Sequence, residues 1–355
     1  MTAEIVFLDD DPVLRIARYA LERRLEDAWV RDFFLPERPD FAGLAAAADA
    51  LSKVRDCRAR LATQPAVLSH ETVALVFRRG KVDAGLMDQA RGLRLVQRLG
   101  ERPEGIDLAA ARSRGIAVSC VPRRTLHYTA EHAILLMQAL ARQLRSSDRL
   151  VREGGYATSD IHPIDHVAYN WIGSSTSAGM YGKTLGIVGL GEVGAIVARL
   201  AGAFGMRVLY TKRHRLSEPD ERALGVEHAP LATLLRASDI VSLHAGNTPE
   251  NAGMADTAFF AAMKPGALFV NTTRGRLVDE DALHAALTSG HLAGAGLDVH
   301  CEEPRPPLDR FARMDNVVLT PHFAGGPRSG VLPELAVMLQ NCAAVLRGEA
   351  PRYAL

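Results

Sequence analysis

Three side chains of this 355-residue chain, His322, Glu303 and Arg274, have the chemistry to move a proton and hold an anion. An imidazole titrates near neutral pH, so it can give a proton to a developing alkoxide. A carboxylate at the other ring nitrogen would hold the ring and favour its protonated form. An arginine fork suits a carboxylate and the carbonyl beside it. The set predicts reduction of a ketone by hydride transfer.

Each of the three residues follows a predicted strand. Strands are predicted at 185–188, 207–210, 240–243, 267–270, 295–297 and 317–319, and helical patterns separate most of them. Near-continuous apolar strands that alternate with helices predict a parallel sheet covered on both faces, and six of them suit a doubly wound dinucleotide fold. Ligands of such sheets bind beyond the carboxyl ends of the strands. We therefore expect His322, Glu303 and Arg274 to meet at that edge, although each alone has a commoner structural explanation.

A GxGxxG pattern follows the first of these strands: Gly189, Gly191 and Gly194, with Glu192 and Val193 between the last two. The first glycine permits a tight turn, the second lets a pyrophosphate approach the backbone, and the third lets the helix pack on the strand. The pattern alone is weak, but here it lies between an apolar strand and an apolar helix. We therefore favour nucleotide binding over a turn without a ligand.

The turn after the second strand is basic. It contains Thr211, Lys212 and Arg213, and no acid occurs before Glu218. NAD sites usually place an acid about 20 residues beyond the glycines, where it accepts hydrogen bonds from the ribose. A hydroxyl and cations would instead suit a 2′-phosphate. The turn favours NADP(H) over NAD(H), with a solvated basic turn as the alternative.

The first third of the chain predicts a further alternation of strands and helices, with strands at 5–8, 73–77, 93–96 and 116–119 and a helix at 13–25. The segment 47–70 fits no clear element and is interpreted as an inserted helix and loop. A long helix is predicted from Thr129, because good helix formers follow it. The polar segment from Gly154 to Gly182 is interpreted as a surface arm.

Composition restricts the class of protein. The chain carries 42 Lys and Arg against 41 Asp and Glu, so its net charge of +1 argues against a nucleic-acid or membrane partner. Its four cysteines form no CxxC pair for zinc, so no metal is expected, and they are too few for a disulfide framework. The first residues do not read as a signal peptide. The composition therefore predicts a soluble cytoplasmic protein of two domains.

These motifs, in this order, closely resemble the D-isomer-specific 2-hydroxyacid dehydrogenases. The resemblance covers most of the chain and rests on AEH at 130–132, YGKTLGIVGLGEVG from Tyr181, SDIVSLH from Ser238, MKPGALFVNTTRGRLVDEDAL from Met263, GLDVHCEEP from Gly296 and TPHFAGG from Thr320. The basic turn is similar to that of NADPH-using glyoxylate/hydroxypyruvate reductases. The resemblance implies that Arg274 binds substrate, that Glu303 partners His322 as general acid/base, and that Asp298 contacts the nicotinamide carboxamide.

The family also implies an architecture. A Rossmann domain, 126–326, would be inserted into a smaller flavodoxin-like substrate domain formed by 1–125 and 327–355, and homodimers through the nucleotide domain are usual. The cofactor-side candidates outside the glycine turn and the basic turn are His244, Thr248, Thr272 and Thr273.

The chain departs from the family pattern at the substrate loop and at a cofactor-side loop. The usual G-x-G reads Gly100-Glu101-Arg102, and the usual H-x-P-x-T reads His244-Ala245-Gly246-Asn247-Thr248. Segments 40–72 and 154–180 are longer than usual. A small 2-keto acid other than glyoxylate or hydroxypyruvate would suit these changes. The candidates to shape its pocket are Arg78, Arg79, Gly100, Glu101 and Arg102, with solvated loop charges as the alternative for some of them.

Two other functions stay open. An NAD-linked enzyme for a phosphorylated hydroxy acid, like the phosphoglycerate dehydrogenases, would use the basic pairs 78–79 and 123–124, although no regulatory domain is expected after the core. A nucleotide-sensing corepressor shares the fold and can keep the three residues, but the Pro- and Ser-rich tail usual there is not seen in this sequence.

Overall fold

The computed structural model describes residues 2–63, 66–154, 169–171, 174 and 177–355. These residues form two compact units. Unit 1 comprises Met1–Thr125 and Pro327–Leu355, so it is built from both ends of the chain, and unit 2 is the intervening Leu126–Gly326. Most of the predicted surface arm from Gly154 to Gly182 lies outside the described residues.

Unit 1 contains a five-stranded parallel sheet. Its strands are β1 (Ala3–Phe7), β2 (Cys57–Leu61), β3 (Thr72–Phe77), β4 (Leu95–Leu99) and β5 (Ala117–Val121), in the spatial order β2-β1-β3-β4-β5. This is the order of the flavodoxin-like doubly wound fold, in which helices must cover both faces of the sheet.

The helices of unit 1 provide that cover. They are α1 (Pro12–Leu21), α2 (Ala28–Phe34), α3 (Ala42–Val54), α4 (Ala84–Asp88) and α5 (Leu108–Ser113), joined by a late helix, Leu332–Arg347, that packs beside α3. Aspartates 11, 27, 83 and 107 precede α1, α2, α4 and α5, and each carboxylate accepts a hydrogen bond from a first-turn N–H. Such caps fix where a helix begins.

The edge strand β2 was not predicted. It falls inside the segment 47–70, which was interpreted as an inserted helix and loop, and the structure forms the end of α3 and then β2 there. The sequence Cys-Arg-Ala-Arg-Leu lacks an apolar run, because the strand lies at the sheet edge. Arg58 and Arg60 instead form ion pairs with the buried Glu4 of β1, at 3.2 and 2.9 Å.

Unit 2 contains a seven-stranded parallel sheet. Its strands are β6 (Thr184–Val188), β7 (Arg207–Thr211), β8 (Glu227–His228), β9 (Ile240–Leu243), β10 (Ala267–Asn271), β11 (Leu292–Leu297) and β12 (Val317–Leu319). The spatial order is β12-β11-β10-β9-β6-β7-β8, so the direction of winding reverses between β6 and β9. This confirms the predicted doubly wound Rossmann fold. Six strands were predicted, and the seventh, β8, has only two residues.

Helices cover both faces of this sheet. The helices of unit 2 are α6 (Arg124–Ala141), α7 (Leu144–Glu153), α8 (Glu192–Ala203), α9 (Glu218–Leu224), α10 (Leu231–Ala237), α11 (Thr257–Ala262) and α12 (Glu280–Thr288), of which α7 has no buried residue. The late helix of unit 1, Leu332–Arg347, is α13. Short 3-10 turns occur at Pro249–Asn251, Gly275–Leu277 and Arg328–Val331. One apolar core lies under α6 and α8, and a second lies under α10 to α12.

Only one helical stretch in the described part of the chain, Arg328–Arg347, is long and apolar enough to cross a membrane. Its most apolar window is 61% buried within the protein, which is typical of a core helix. It therefore gives little support for a membrane span.

Candidate active site

His322 and Glu303 form a hydrogen-bonded pair. The Nδ1 atom of His322 lies 2.7 Å from Oε2 of Glu303, and the other carboxylate oxygen accepts the N–H of His300 at 2.9 Å. Burial raises the pKa of Glu303, but these hydrogen bonds outweigh it and hold the pKa below its ordinary value. The carboxylate is therefore charged at neutral pH. Nε2 of His322 has no hydrogen-bond partner among the described residues, so it is free for a ligand.

The turn after β12 presents His322 and is held by a buried carboxylate. His322 itself adopts a left-handed backbone conformation, with φ of 55°. Asp298, which is fully buried, accepts hydrogen bonds from the hydroxyl of Thr320 at 2.7 Å and from the N–H groups of Phe323 and Ala324 at 3.1 and 3.0 Å. Both oxygens of Asp298 thus brace the turn on either side of His322. Its contact with a nicotinamide carboxamide stays a prediction.

The turn after β10 presents Arg274. The buried side chain of Asn271 accepts the N–H of Thr273 at 2.9 Å and donates to the carbonyl of Arg274 at 3.0 Å, so it braces this turn from both ends. The Arg274 guanidinium is exposed and donates to the carbonyl of Thr273 at 2.6 Å. Among the described residues, this guanidinium forms no hydrogen bond or ion pair with His322 or Glu303.

Gly275 brings the turn of Arg274 against the loop that carries Glu303. A Cβ atom at Gly275 would lie 2.0 Å from the carbonyl carbon of His300 and 2.4 Å from the nitrogen of Cys301. Any side chain here would force the two backbones apart. No sequence pattern distinguishes Gly275 or Asn271 from other loop residues, because their roles depend on contacts made in the folded chain.

The glycine turn after β6 combines two close backbone approaches with open space at the start of α8. Gly189 has φ of 95°, and a Cβ there would lie 2.5 Å from the nitrogen of Ala245, on the loop after β9. A Cβ on Gly194 would lie 2.8 Å from the carbonyl oxygen of Gly189. A Cβ on Gly191, in contrast, would meet no described atom within 4 Å. Gly191 therefore faces open space at the N-terminus of α8, where phosphate oxygens bind, while Glu192 and Val193 form the first helical turn.

The loops after β9 and β10 contain unsatisfied polar atoms. Nδ1 of His244 and Oγ1 of Thr272 are buried without a hydrogen-bond partner among the described residues. Burial lowers the pKa of His244 to about 4, so its ring is neutral at pH 7, and its Nε2 lies 2.9 Å from the hydroxyl of Ser242. Buried polar atoms normally find a partner. These two therefore fit a polar ligand, whereas the Thr273 hydroxyl is already bonded to Asn271, at 2.7 Å. Thr248 lies on the β9 loop, where its N–H donates to Gly246.

The cations of the basic turn after β7 differ in whether a carboxylate of the described structure pairs with them. The guanidinium of Arg215 donates two hydrogen bonds of 2.8 Å to the carboxylate of Glu221, and the hydroxyl of Tyr210 donates to the same carboxylate at 2.7 Å. These bonds lower the pKa of Glu221 to about 2 and commit Arg215 to it. Lys212 and Arg213 form no ion pair within 4 Å in the described structure. Thr211 ends β7, and its carbonyl accepts the N–H of Gly189 at 2.9 Å, so the two turns are adjacent.

The predicted substrate residues of unit 1 lie on loops after β3 and β4. The Arg78 guanidinium contacts Asp11 at 2.6 Å, and the N–H groups of Arg78 and Arg79 both donate to Asp9. Gly100 directly follows β4 and has φ of 156°, and the next residue, Glu101, is half-buried. Arg78 is therefore already paired, which was not expected of a substrate ligand.

The described residues contain no group of three or more His, Cys, Asp or Glu side chains able to hold a metal ion.

The chain is similar in sequence to proteins of known families. The profile of the D-isomer specific 2-hydroxyacid dehydrogenase NAD-binding domain matches residues 134–324. A glyoxylate reductase of Korarchaeum cryptofilum is 41% identical over 270 residues, which are 76% of this chain and 78% of the relative. A D-3-phosphoglycerate dehydrogenase of Archaeoglobus fulgidus is 36% identical over 283 residues, which are 79% of this chain and only 51% of that longer protein.

A solved structure has the same fold. The crystal structure of a glyoxylate reductase from Paecilomyes thermophila superposes with a TM-score of 0.57 at 24% identity, and the match covers 100% of this chain and 98% of the other. At that identity the likeness concerns the fold alone.

Proposed function

The chain belongs to the D-isomer-specific 2-hydroxyacid dehydrogenase family and is an oxidoreductase, and from that premise we propose that it reversibly reduces a small 2-keto acid to the D-2-hydroxy acid. The observation that carries the proposal is the 2.7 Å hydrogen bond between His322 and Glu303. The pair and the glycine turn both follow the carboxyl ends of strands in the same parallel sheet. Ligands of such sheets bind beyond those ends.

His322 moves the proton. Reduction of the carbonyl places negative charge on its oxygen, and His322 gives that oxygen a proton from Nε2, the ring nitrogen left free by Glu303. The charged Glu303 keeps Nδ1 protonated throughout and stabilises the ring when both nitrogens carry protons. In the oxidative direction the same Nε2 accepts the hydroxyl proton.

Arg274 binds the substrate. Its exposed guanidinium keeps donors available beyond its one bond to Thr273, and it can hold the carboxylate or the reacting carbonyl oxygen. A bound nicotinamide nucleotide would supply the hydride, held by the turn at Gly189, Gly191 and Gly194 and by the loops of His244, Thr248, Thr272 and Thr273. The open space at Gly191 and the unpartnered atoms of His244 and Thr272 support that placement.

The preferred cofactor is NADP(H). With Arg215 committed to Glu221, Lys212 and Arg213 are the cations of the β7 turn left for a 2′-phosphate, with Thr211 as a hydroxyl donor. The segment 211–215 contains no acid to accept hydrogen bonds from an unmodified ribose. The rest of the proposal is a substrate-binding role for unit 1, a homodimer, and action in the cytoplasm without nucleic-acid or membrane partners.

The test is a panel of keto acids followed by nicotinamide absorbance, with NADH and NADPH in parallel. The panel contains glyoxylate, hydroxypyruvate, longer and branched 2-keto acids and one phosphorylated keto acid, and the product is assayed for its D configuration. Turnover of an unphosphorylated acid to the D product supports the proposal. Turnover of the phosphorylated acid alone would favour the phosphoglycerate-type alternative, and no turnover with any member would refute the enzyme proposed here.

Variants of the basic turn test the preference for NADP(H) separately. Replacing Lys212 and Arg213 by Ala should raise the KM for NADPH by about tenfold or more, since each charge-assisted hydrogen bond contributes about 1.5–3 kcal/mol, and should leave the KM for NADH nearly unchanged. Arg207 is a matched control, because it lies at the opposite end of β7 and pairs with Glu227. Arg207→Ala should change neither KM. A wild-type enzyme that prefers NADH would overturn this part of the proposal.

A further inference from the structure

A second imidazole, His300, contacts both of the loops that carry the acid–base pair. Its ring is buried, with 7% of the residue exposed, on the loop that leads from β11 to Glu303. Its backbone N–H donates to Oε1 of Glu303 at 2.9 Å. Its ring nitrogen Nε2 lies 2.9 Å from the carbonyl oxygen of Thr320, two residues before His322. One residue thus contacts the carboxylate partner through its backbone and the histidine turn through its side chain.

The surroundings of His300 fix its tautomer. A carbonyl oxygen can only accept a hydrogen bond, so Nε2 must carry the proton that points to Thr320. Nη1 of Arg305 lies 3.0 Å from the other nitrogen, Nδ1, and a guanidinium can only donate. Nδ1 is therefore the acceptor. The ring is held in one orientation by a donor on one side and an acceptor on the other.

Arg305 is itself held from two sides. It contacts Glu280 at the start of α12, at 3.0 Å, and also forms an ion pair with Asp309. Its side chain is 12% exposed. Because Arg305 cannot easily leave these carboxylates, it keeps Nδ1 of His300 occupied and Nε2 directed at Thr320.

The carbonyl of Thr320 connects this chain of contacts to the acid–base histidine. It accepts the N–H of His322 at 3.1 Å in addition to Nε2 of His300. His322 has the left-handed backbone conformation, which is unfavourable for a residue with a side chain and persists only where its surroundings hold it. We propose that His300 is a positioning residue, which fixes the Thr320 carbonyl and so keeps the ring of His322 on Glu303. This inference rests on the proposed role of His322.

The replacement series His300→Gln, His300→Asn and His300→Leu separates positioning from packing. The amide nitrogen of Gln is as many bonds from Cα as Nε2, so it can still donate to Thr320. Asn matches the position of Nδ1 and cannot reach Thr320, and Leu keeps the volume without any polar atom. We expect kcat to fall about tenfold in the Asn and Leu variants, the cost of one buried hydrogen bond. The Gln variant should keep most of the wild-type kcat, and the KM for the cofactor should stay unchanged throughout.

The pH profile provides a second readout. If His322 leaves Glu303 in the Asn and Leu variants, Glu303 loses a bond that lowers its pKa and becomes protonated at a higher pH, so the acid limb of kcat for keto-acid reduction moves to higher pH. The Gln variant should keep the wild-type limb. His291→Leu is the matched control, because Nε2 of His291 also contacts backbone carbonyls, those of Phe260 and Met263, but has no contact with the site. It should lower thermal stability without moving kcat or the pH profile.

The outcomes are distinguishable. A wild type without turnover on the keto-acid panel defeats the proposed function. A wild type with turnover, together with equal losses in all three variants or with Leu as the best replacement, defeats the positioning role and assigns His300 to packing.

Discussion

The two units share one architecture but use their loops differently. In each, parallel strands end in loops that pack backbone on backbone at a glycine: Gly275 against His300 in unit 2, and Gly105 against the carbonyl of Gly80 in unit 1. In unit 2 the charged groups of these loops keep free atoms, namely Nε2 of His322 and most of the Arg274 guanidinium. In unit 1 the guanidinium groups of Arg78 and Arg98 are instead bonded within the unit.

The pairing in unit 1 is specific. Asp9 holds the N–H groups of Arg78 and Arg79, and Asp11 holds the Arg78 guanidinium. Nη1 of the buried Arg98 donates to the carbonyl of Arg102 at 2.6 Å, on the loop that replaces the usual G-x-G. The guanidinium groups of Arg78 and Arg98 would have to give up these bonds before they could bind a ligand, which would cost free energy. The loops of unit 2 therefore keep polar atoms available for a ligand, whereas the loops of unit 1 are held in shape by their own hydrogen bonds and ion pairs.

The largest expected effect concerns unit 2. His322→Ala should lower kcat by roughly 10²–10⁴-fold, because it removes the proton donor. Cofactor affinity, followed by the fluorescence of bound NADPH, should stay unchanged, since the glycine turn is untouched. An alanine variant that keeps wild-type turnover would contradict the role given to His322 and remove the difference between the units.

The two predicted substrate arginines compare the units directly. Arg274→Ala should lower kcat/KM by roughly 10²–10³-fold, the cost of losing an aimed donor at the reacting oxygen. Arg78→Ala should have an effect of less than about tenfold, because Arg78 is committed to Asp11. Steady-state kinetics on the best keto acid measures both. Equal losses would mean that Arg78 leaves Asp11 to bind substrate.

Alanine substitutions at Gly275 and Gly105 should lower the free energy of unfolding by similar amounts but should affect activity differently. A Cβ at Gly275 or at Gly105 would approach backbone atoms to 2.0 and 2.2 Å, and Gly105 also has φ of 84°. Either alanine variant should lower the free energy of unfolding by about 1–3 kcal/mol, measured by urea denaturation. Gly275→Ala should also lower kcat, since it displaces the turn of Arg274, and Gly105→Ala should mainly raise KM. A Gly105→Ala variant with the larger loss of kcat would reverse the comparison.

The smallest effect is on the pH dependence of stability. His244 has a pKa of about 4 when folded against 6.5 ordinarily, so the unfolded chain binds the proton more readily and acidification between these values destabilises unit 2. Burial of His132 acts in the same direction. In unit 1, burial raises the pKa of Glu4, but its bonds to Arg60 and Thr72 outweigh this and lower it. The stability from Glu4 is thus present above its ordinary value of 4.5 and is lost only at lower pH.

Hydrogen exchange tests this difference. Between pH 6.5 and 5, amides of β6 should lose protection before those of β3, after correction for the intrinsic exchange rate. His244→Gln should reduce the loss in β6. Equal loss in both units, or no change in the variant, would contradict the assignment.

The strands with apolar runs were predictable, and the polar ones were not. In unit 2 the predicted strands at 240–243 and 317–319 agree with β9 and β12. The two-residue strand β8 and the arginine-containing β2 were missed because neither contains an apolar run, whereas the edge strand β12 has one and was predicted. The helix expected at 13–25 ends at Leu21, so its boundary was less predictable than its existence.

The amino-acid sequence by itself determined the doubly wound fold and the glycine turn, and it predicted His322, Glu303 and Arg274 as the site residues, because these follow from local periodicity and from motifs continuous along the chain. Only the tertiary structure decided which charged side chains are paired with another residue and which stay available to a ligand. Asp11 pairs with Arg78 across 67 positions, and His300 contacts Thr320 across 20. Such pairs form between loops of neighbouring strands, and their partners are set by the order of strands in the sheet rather than by spacing in the chain.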